Sequence, residues 1–236
     1  MSLLGTLIRE EIRFLTFRAP GPAFRENPGA FLAFGLLFTW LSGMGRYWDN
    51  PRAEPWQLLG LGSVAYVYIL ALILWLAVLP LRPQSWSYRN VLLLVCLTSP
   101  PALLYAVPVE RFLTADLARA TNAWFLGIVA MWRVGLWFNF VLRVARLRFL
   151  IALIATLLPI AALVFVLAAL NLEHVVFNLM SGIPEDQTGP HDKAYLVVVT
   201  LAMTSFVAAP VLALAYLGAI FWSRWPRAKA APDPGL

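Results

Sequence analysis

QLLGLGSVAYVYILALILWLAVLP, residues 57–80, carries no charged residue over 24 positions. A helix that crosses a bilayer needs about 20 consecutive, mostly apolar residues. A surface helix of a water-soluble protein keeps charge on its outer face, and this stretch has none to offer. It therefore reads as a transmembrane helix. Five further apolar stretches flank it, at residues 30–45, 91–107, 122–142, 149–170 and 195–222. The first is short and ends at an interfacial pair, Tyr47 and Trp48. The last is long enough to tilt. The expected fold is an all-α integral membrane protein with six transmembrane helices.

Ahead of the spans, residues 2–18 place Leu4, Ile8, Ile12 and Leu15 near one helical face, with Arg9, Glu10 and Arg13 elsewhere. That spacing predicts an N-terminal amphipathic interfacial helix lying along the membrane surface. A Pro/Gly-rich link, residues 19–29, ends it. The expected organisation is a helix and linker over 1–28, a six-span domain over 29–223 and a basic tail over 224–236.

Composition agrees with this reading. The chain is 61% hydrophobic and 13% charged, about half the charged share of a soluble domain. Its net charge of +6 does not mark a nucleic-acid binder, because the basic residues sit at span ends. One cysteine, Cys96, excludes an intramolecular disulfide. Glu10 and Glu11, with no long apolar core nearby, argue against a cleaved signal peptide.

The basic residues also orient the chain. Twelve fall on the side that holds the N-terminal segment, the 2–3 and 4–5 connections and the tail. Five fall on the other: Arg46, Arg52, Arg111, Arg119 and Lys193. Cytoplasmic loops carry the Lys/Arg excess, so both termini are expected in the cytoplasm, in the inner or plasma membrane.

Two features inside the spans carry potential chemistry. Ser99-Pro100-Pro101 interrupts the third span, and the missing proline N–H groups are expected to free the carbonyls of Cys96 and Leu97. Lipid cannot satisfy them. The break is either a packing kink or a helix broken around a polar cavity. Pro159 and Pro210 interrupt the fifth and sixth spans in the same way. Arg133 lies near the middle of the fourth span, where a charge costs at least a few kcal/mol. No acidic residue lies near the centre of any span. Arg133 is therefore either a polar pin between helices, served by the freed carbonyls, or a contact for a ligand, lipid headgroup or anion. Trp137, one turn away, is placed to stack on its guanidinium. The candidate polar site is Arg133, Ser99, Cys96 and Trp137.

The acidic 5–6 connection holds both histidines. His174, His191 and Asp192 are weak candidate metal ligands whose spacing matches no compact motif. Leu172, Val175, Val176 and Leu179 predict a short helix there. Hydrolase, zinc-protease and phosphate-loop signatures are absent, so neither catalysis nor a cofactor is expected. The many Trp and Tyr residues read as an interfacial belt.

Four features together resemble the Yip1 family of small polytopic membrane proteins, over about residues 17–159. These are a Pro-containing link (Ala19-Pro20 to Pro28) before the first span, and Thr98-Ser99-Pro100-Pro101 with Ala106-Val107-Pro108. They also include a Trp- and Gly-rich fourth span with Trp132, Gly135 and Trp137, and a basic turn from Arg143 to Arg148. Family members typically have five spans, and this chain adds a sixth. The resemblance implies a non-enzymatic membrane factor that binds other proteins, linked in eukaryotes to trafficking.

The expected partners are thus the lipid bilayer and other protein subunits, with no nucleic acid. The expected function is a non-enzymatic adaptor or accessory subunit of a membrane complex. The alternative is the permease subunit of an ATP-driven transporter whose ATPase is a separate chain. Fused after Leu236, a reporter active only in the cytoplasm is expected to be active; an inactive fusion reverses the orientation.

Overall fold

The computed structural model describes residues 2–19, 21–48, 53–170 and 193–224, and these form helices and connections without a strand. An N-terminal helix α1 (Leu3–Leu15) and a single turn α2 (Ala23–Glu26) precede α3 (Pro28–Gly45). Next come α4 (Pro55–Leu58), α5 (Leu61–Val78) and α6 (Tyr88–Leu97). Helices α7 (Ala115–Arg143), α8 (Phe149–Ala169) and α9 (Lys193–Arg224) complete the order. Short 3-10 helices occupy Leu79–Leu81, Pro100–Ala106 and Val109–Arg111.

Among the described residues, five helices are long and apolar enough to cross a membrane. They are Pro28–Gly45, Leu61–Leu81, Ala120–Arg143, Phe149–Ala169 and Val199–Ser223. The expected third span is a bent pair, α6 and the 3-10 helix Pro100–Ala106, which meet at 41°. The α part rises about 15 Å and the 3-10 part about 14 Å. Together they nearly match a hydrocarbon layer of about 30 Å.

Local sequence sets the ends. The Ser2 hydroxyl accepts the Gly5 N–H at 3.3 Å at the start of α1, and Ser87 caps α6 through the Asn90 N–H. Pro28 opens α3, where its missing N–H costs nothing. Residues 57–80 do not form one continuous helix as the sequence suggested. Gly60 adopts a left-handed φ of 65°, so α4 stops and α5 starts afresh. A side chain there would meet the Trp40 carbonyl oxygen at 2.7 Å. The expected helix at 172–179 lies outside the described residues.

Helix α6 forms the core. Val91 to Ser99 are all buried, and α3 and α5 flank them. Gly35 lets α3 approach closely, since an added Cβ would lie 2.8 Å from the Cys96 Cβ. Small residues at helix interfaces allow this packing in a membrane, where no hydrophobic force pulls helices together. Helix α8 packs chiefly on α9, and the Tyr216 hydroxyl of α9 donates to the Ala77 carbonyl at the end of α5.

Helix α1 turns most of its apolar stripe outward. Leu4, Ile8 and Ile12 are exposed, whereas Leu7, Glu10, Glu11 and Phe14 are buried. Glu10 is satisfied, accepting the Gly21 N–H at 2.7 Å and facing Arg13 at 3.4 Å. Both Glu11 carboxylate oxygens are buried without a partner among the described residues. Burial pushes this carboxyl up to about 8 from its usual 4.5.

Between those values the folded state keeps a proton that the unfolded chain loses, so stability falls as pH rises through that window. Thermal denaturation from about pH 5 to about pH 8 is expected to show a loss of roughly 2–4 kcal/mol. Glu11→Gln should abolish that loss and raise the melting temperature near pH 8.

Candidate functional site

The site begins with the proline break. Pro100 and Pro101 carry no N–H, and the chain tightens as it passes them. The Ser99 N–H donates to the Cys96 carbonyl at 3.1 Å and the Ala102 N–H to the Ser99 carbonyl at 2.9 Å. In an α-helix Ala102 would have served Thr98. The Thr98 carbonyl is thereby left over, and the Arg133 Nε donates to it at 3.0 Å. The sequence anticipated this meeting of Arg133 with the broken span but named the Cys96 and Leu97 carbonyls. The 3-10 turn serves the Cys96 carbonyl and leaves that of Thr98 to Arg133.

Helix α3 serves the other side of the break. The Thr39 hydroxyl donates to the Gly35 carbonyl at 2.9 Å, so it must accept from the Ser99 hydroxyl, 2.7 Å away. The Ser42 hydroxyl donates to the Ser99 carbonyl at 3.2 Å. Ser99 therefore belongs to the polar junction. Cys96 does not; it is fully buried beneath Gly35.

Trp137 also stands apart from the junction. Instead of stacking on Arg133, its ring lies 6.0 Å from Trp86 and 6.2 Å from Phe140. Trp86, remote in sequence, and Phe140, one turn on in α7, engage the ring instead of the guanidinium.

Three groups whose charge bears on Arg133 were not read from the sequence. Tyr66 of α5, Tyr105 of the 3-10 segment and Arg46 at the end of α3 lie close enough to interact with its charge. The Arg46 guanidinium sits 5.5 Å from the Tyr105 ring and 5.8 Å from that of Tyr47, a cation–π arrangement. Each had looked like an ordinary interfacial residue. Only the turn of the broken span brings Tyr105 toward Arg133.

Among the described residues, no three His, Cys, Asp or Glu side chains converge. His174, His191 and Asp192 lie outside the described residues. The junction thus presents hydroxyl, phenol and guanidinium groups, whose chemistry is hydrogen-bond donation to an acceptor.

The Thr39–Ser99 contact is expected to be energetically coupled. A double-mutant cycle with Thr39→Val and Ser99→Ala, read by thermal unfolding in detergent, should give a coupling of about 0.5–2 kcal/mol. Strictly additive effects would remove the hydroxyl pair from the account of the core.

No protein-family model, no curated protein and no solved structure matches this chain.

Proposed function

We propose that the chain is an integral membrane protein of six crossings with both termini cytoplasmic. In this reading it acts as a non-enzymatic adaptor or accessory subunit of a membrane complex. The basic-residue bias supports the orientation. The near-30 Å reach of the bent pair supports its counting as one crossing. The apolar exteriors of α5, α8 and α9 support lipid as their solvent, since Ile73, Leu163, Leu214 and many similar side chains point outward.

The observation that carries the adaptor reading is the outer face of α7. Leu117, Trp124, Ile128 and Met131 line it, with Trp124 71% and Met131 73% exposed. Gly127 lies among them, and a Cβ added there would meet nothing within 4 Å. A mid-helix glycine costs about 1 kcal/mol against alanine, and packing among the described residues gives no return on that cost. Close approach by a helix of another subunit would do so. The order of features shared with the Yip1 family points to the same class.

The alternative, a permease subunit working with a separate ATPase, draws support from the broken span and the donors around Arg133. Purification in mild detergent separates the two readings. A stoichiometric membrane partner is expected, and Gly127→Leu should release it while leaving the melting temperature unchanged. A stoichiometric ATPase would favour the permease. A lone monomer would overturn both.

A further inference from the structure

We propose that the groove between the start of α8 and the end of α9 holds an anionic phospholipid, with an acyl chain in the groove and the phosphate at Arg148. The two helices pack on each other, but at this end they leave a cavity of about 520 Å³, within the size range of ligand sites. Arg148 and Phe149 line it from α8, and Ala215, Gly218, Ala219 and Trp222 from α9. The spacing of those four positions puts them on one face of α9. An adjoining face is engaged inside the bundle, where Tyr216 donates to the Ala77 carbonyl of α5 and Ile220 packs on the core. A Cβ added to Gly218 would meet nothing within 4 Å, so no described side chain fills the space. An apolar hollow with no atoms in it forfeits dispersion contacts on every wall, and in a bilayer the available filler is hydrocarbon.

Charge selects the kind of lipid. Arg148 is exposed, and its guanidinium makes no hydrogen bond or ion pair among the described residues. Trp222 is 73% exposed, and its indole N–H likewise donates to no acceptor there. Tryptophans at span ends sit at headgroup level, so these two side chains mark the phosphate end of the groove. No acidic residue occurs from position 117 to 172, which covers α8, or from 193 to 232, which covers α9. The connection at 79–90 docks on the turn before α8, the Gln84 N–H donating to the Ala145 carbonyl at 3.1 Å. It carries Arg82 and Arg89 and no acid. The acids of α1 and α2 do not line the groove: Glu10 is ion-paired with Arg9 and Arg13, Glu11 is buried, and Glu26 ends α2. The tail after α9 sets Asp233 against Arg227 and Lys229. Its net charge has the sign of Arg148, which disfavours the tail as occupant. A guanidinium can grip two oxygens of one phosphate. The proposal rests on the chain lying in a bilayer, not on its orientation or on a subunit partner.

Photolabelling of the full chain in vesicles tests this. The chain is reconstituted in phosphatidylcholine containing a little phosphatidylglycerol with a photoreactive group in its acyl chain, and the labelled peptides are mapped. Label is expected on residues 148–151 and 215–222. Unlabelled phosphatidylglycerol should compete about fivefold more strongly than added phosphatidylcholine, the factor that one arginine is worth at an anionic surface. Gly218→Leu should remove the label from the groove. Arg148→Gln should keep the label but erase the difference between the two competitors. Arg148 is exposed, so this variant carries the test if Gly218→Leu does not incorporate. Label spread evenly over the outward faces of α5, α8 and α9, equal competition by the two lipids, or label that Gly218→Leu leaves unchanged overturns the proposal. Groove label that appears only after residues 225–236 are removed makes the tail the occupant and overturns it too. Flotation with the vesicles is read first. A chain that does not float overturns the membrane reading together with this proposal, whereas one that floats without groove label overturns this proposal alone.

Discussion

The backbone between Thr98 and Ala102 is the constraint that the rest of the core answers. Two consecutive prolines remove two N–H donors from the middle of a buried segment. A buried carbonyl without a partner costs on the order of several kcal/mol in hydrocarbon. The neighbouring helices supply what the segment lacks. Ser42 serves the Ser99 carbonyl, Thr39 holds the Ser99 hydroxyl, and Arg133 reaches the Thr98 carbonyl. The short side chains of α3 follow from this, because only a close helix can place a hydroxyl there. The charge in α7 follows as well, since a long side chain is needed from that distance.

Much of this was legible in the sequence, for reasons that differ by element. The long apolar runs give themselves away by composition alone. The break at Pro100 and Pro101 is equally plain, because proline lacks its N–H in any context. The full set of freed carbonyls was not legible: it depends on how tightly the chain turns, and a 3-10 turn serves Cys96 and adds Thr98. Gly60 gave only a weak signal, since a glycine in an apolar run reads equally as a packing contact or a break. Trp137 was misplaced because helical spacing fixes which residues are neighbours on one helix, whereas its ring is held by Trp86, far away in sequence. Tyr66 and Tyr105 were invisible for the same reason.

Helix α1 shows a further limit of reading faces from periodicity. Of the apolar stripe read there, Leu4, Ile8 and Ile12 point away from the protein, while Leu15 packs on the core. The helix instead buries a face containing two glutamates. Glu10 closes the link to α2 through the Gly21 N–H, and the Trp132 indole donates to the Leu15 carbonyl at the end of α1. Several tryptophans behave in this way. Trp40 donates to Leu59 and Trp48 to Ala106, both at helix ends where carbonyls are left over. Tryptophans that composition suggested as an interfacial belt here tie helix termini together.

The burial of α6 has a consequence for how the protein is made. With the bundle placed in a bilayer, Val91–Leu97 of this ten-residue helix turn no side to lipid, and the helix is too short to cross alone. A segment of that kind gains little by leaving the insertion machinery as an independent unit. Its stable environment is the groove between α3 and α5, which are synthesised before it. Helix α7, with the arginine that completes the hydrogen bonding, is synthesised afterwards. Chain order therefore matches the order in which the core can be assembled. The segment that waits for a partner on each side is the one placed between them in the sequence.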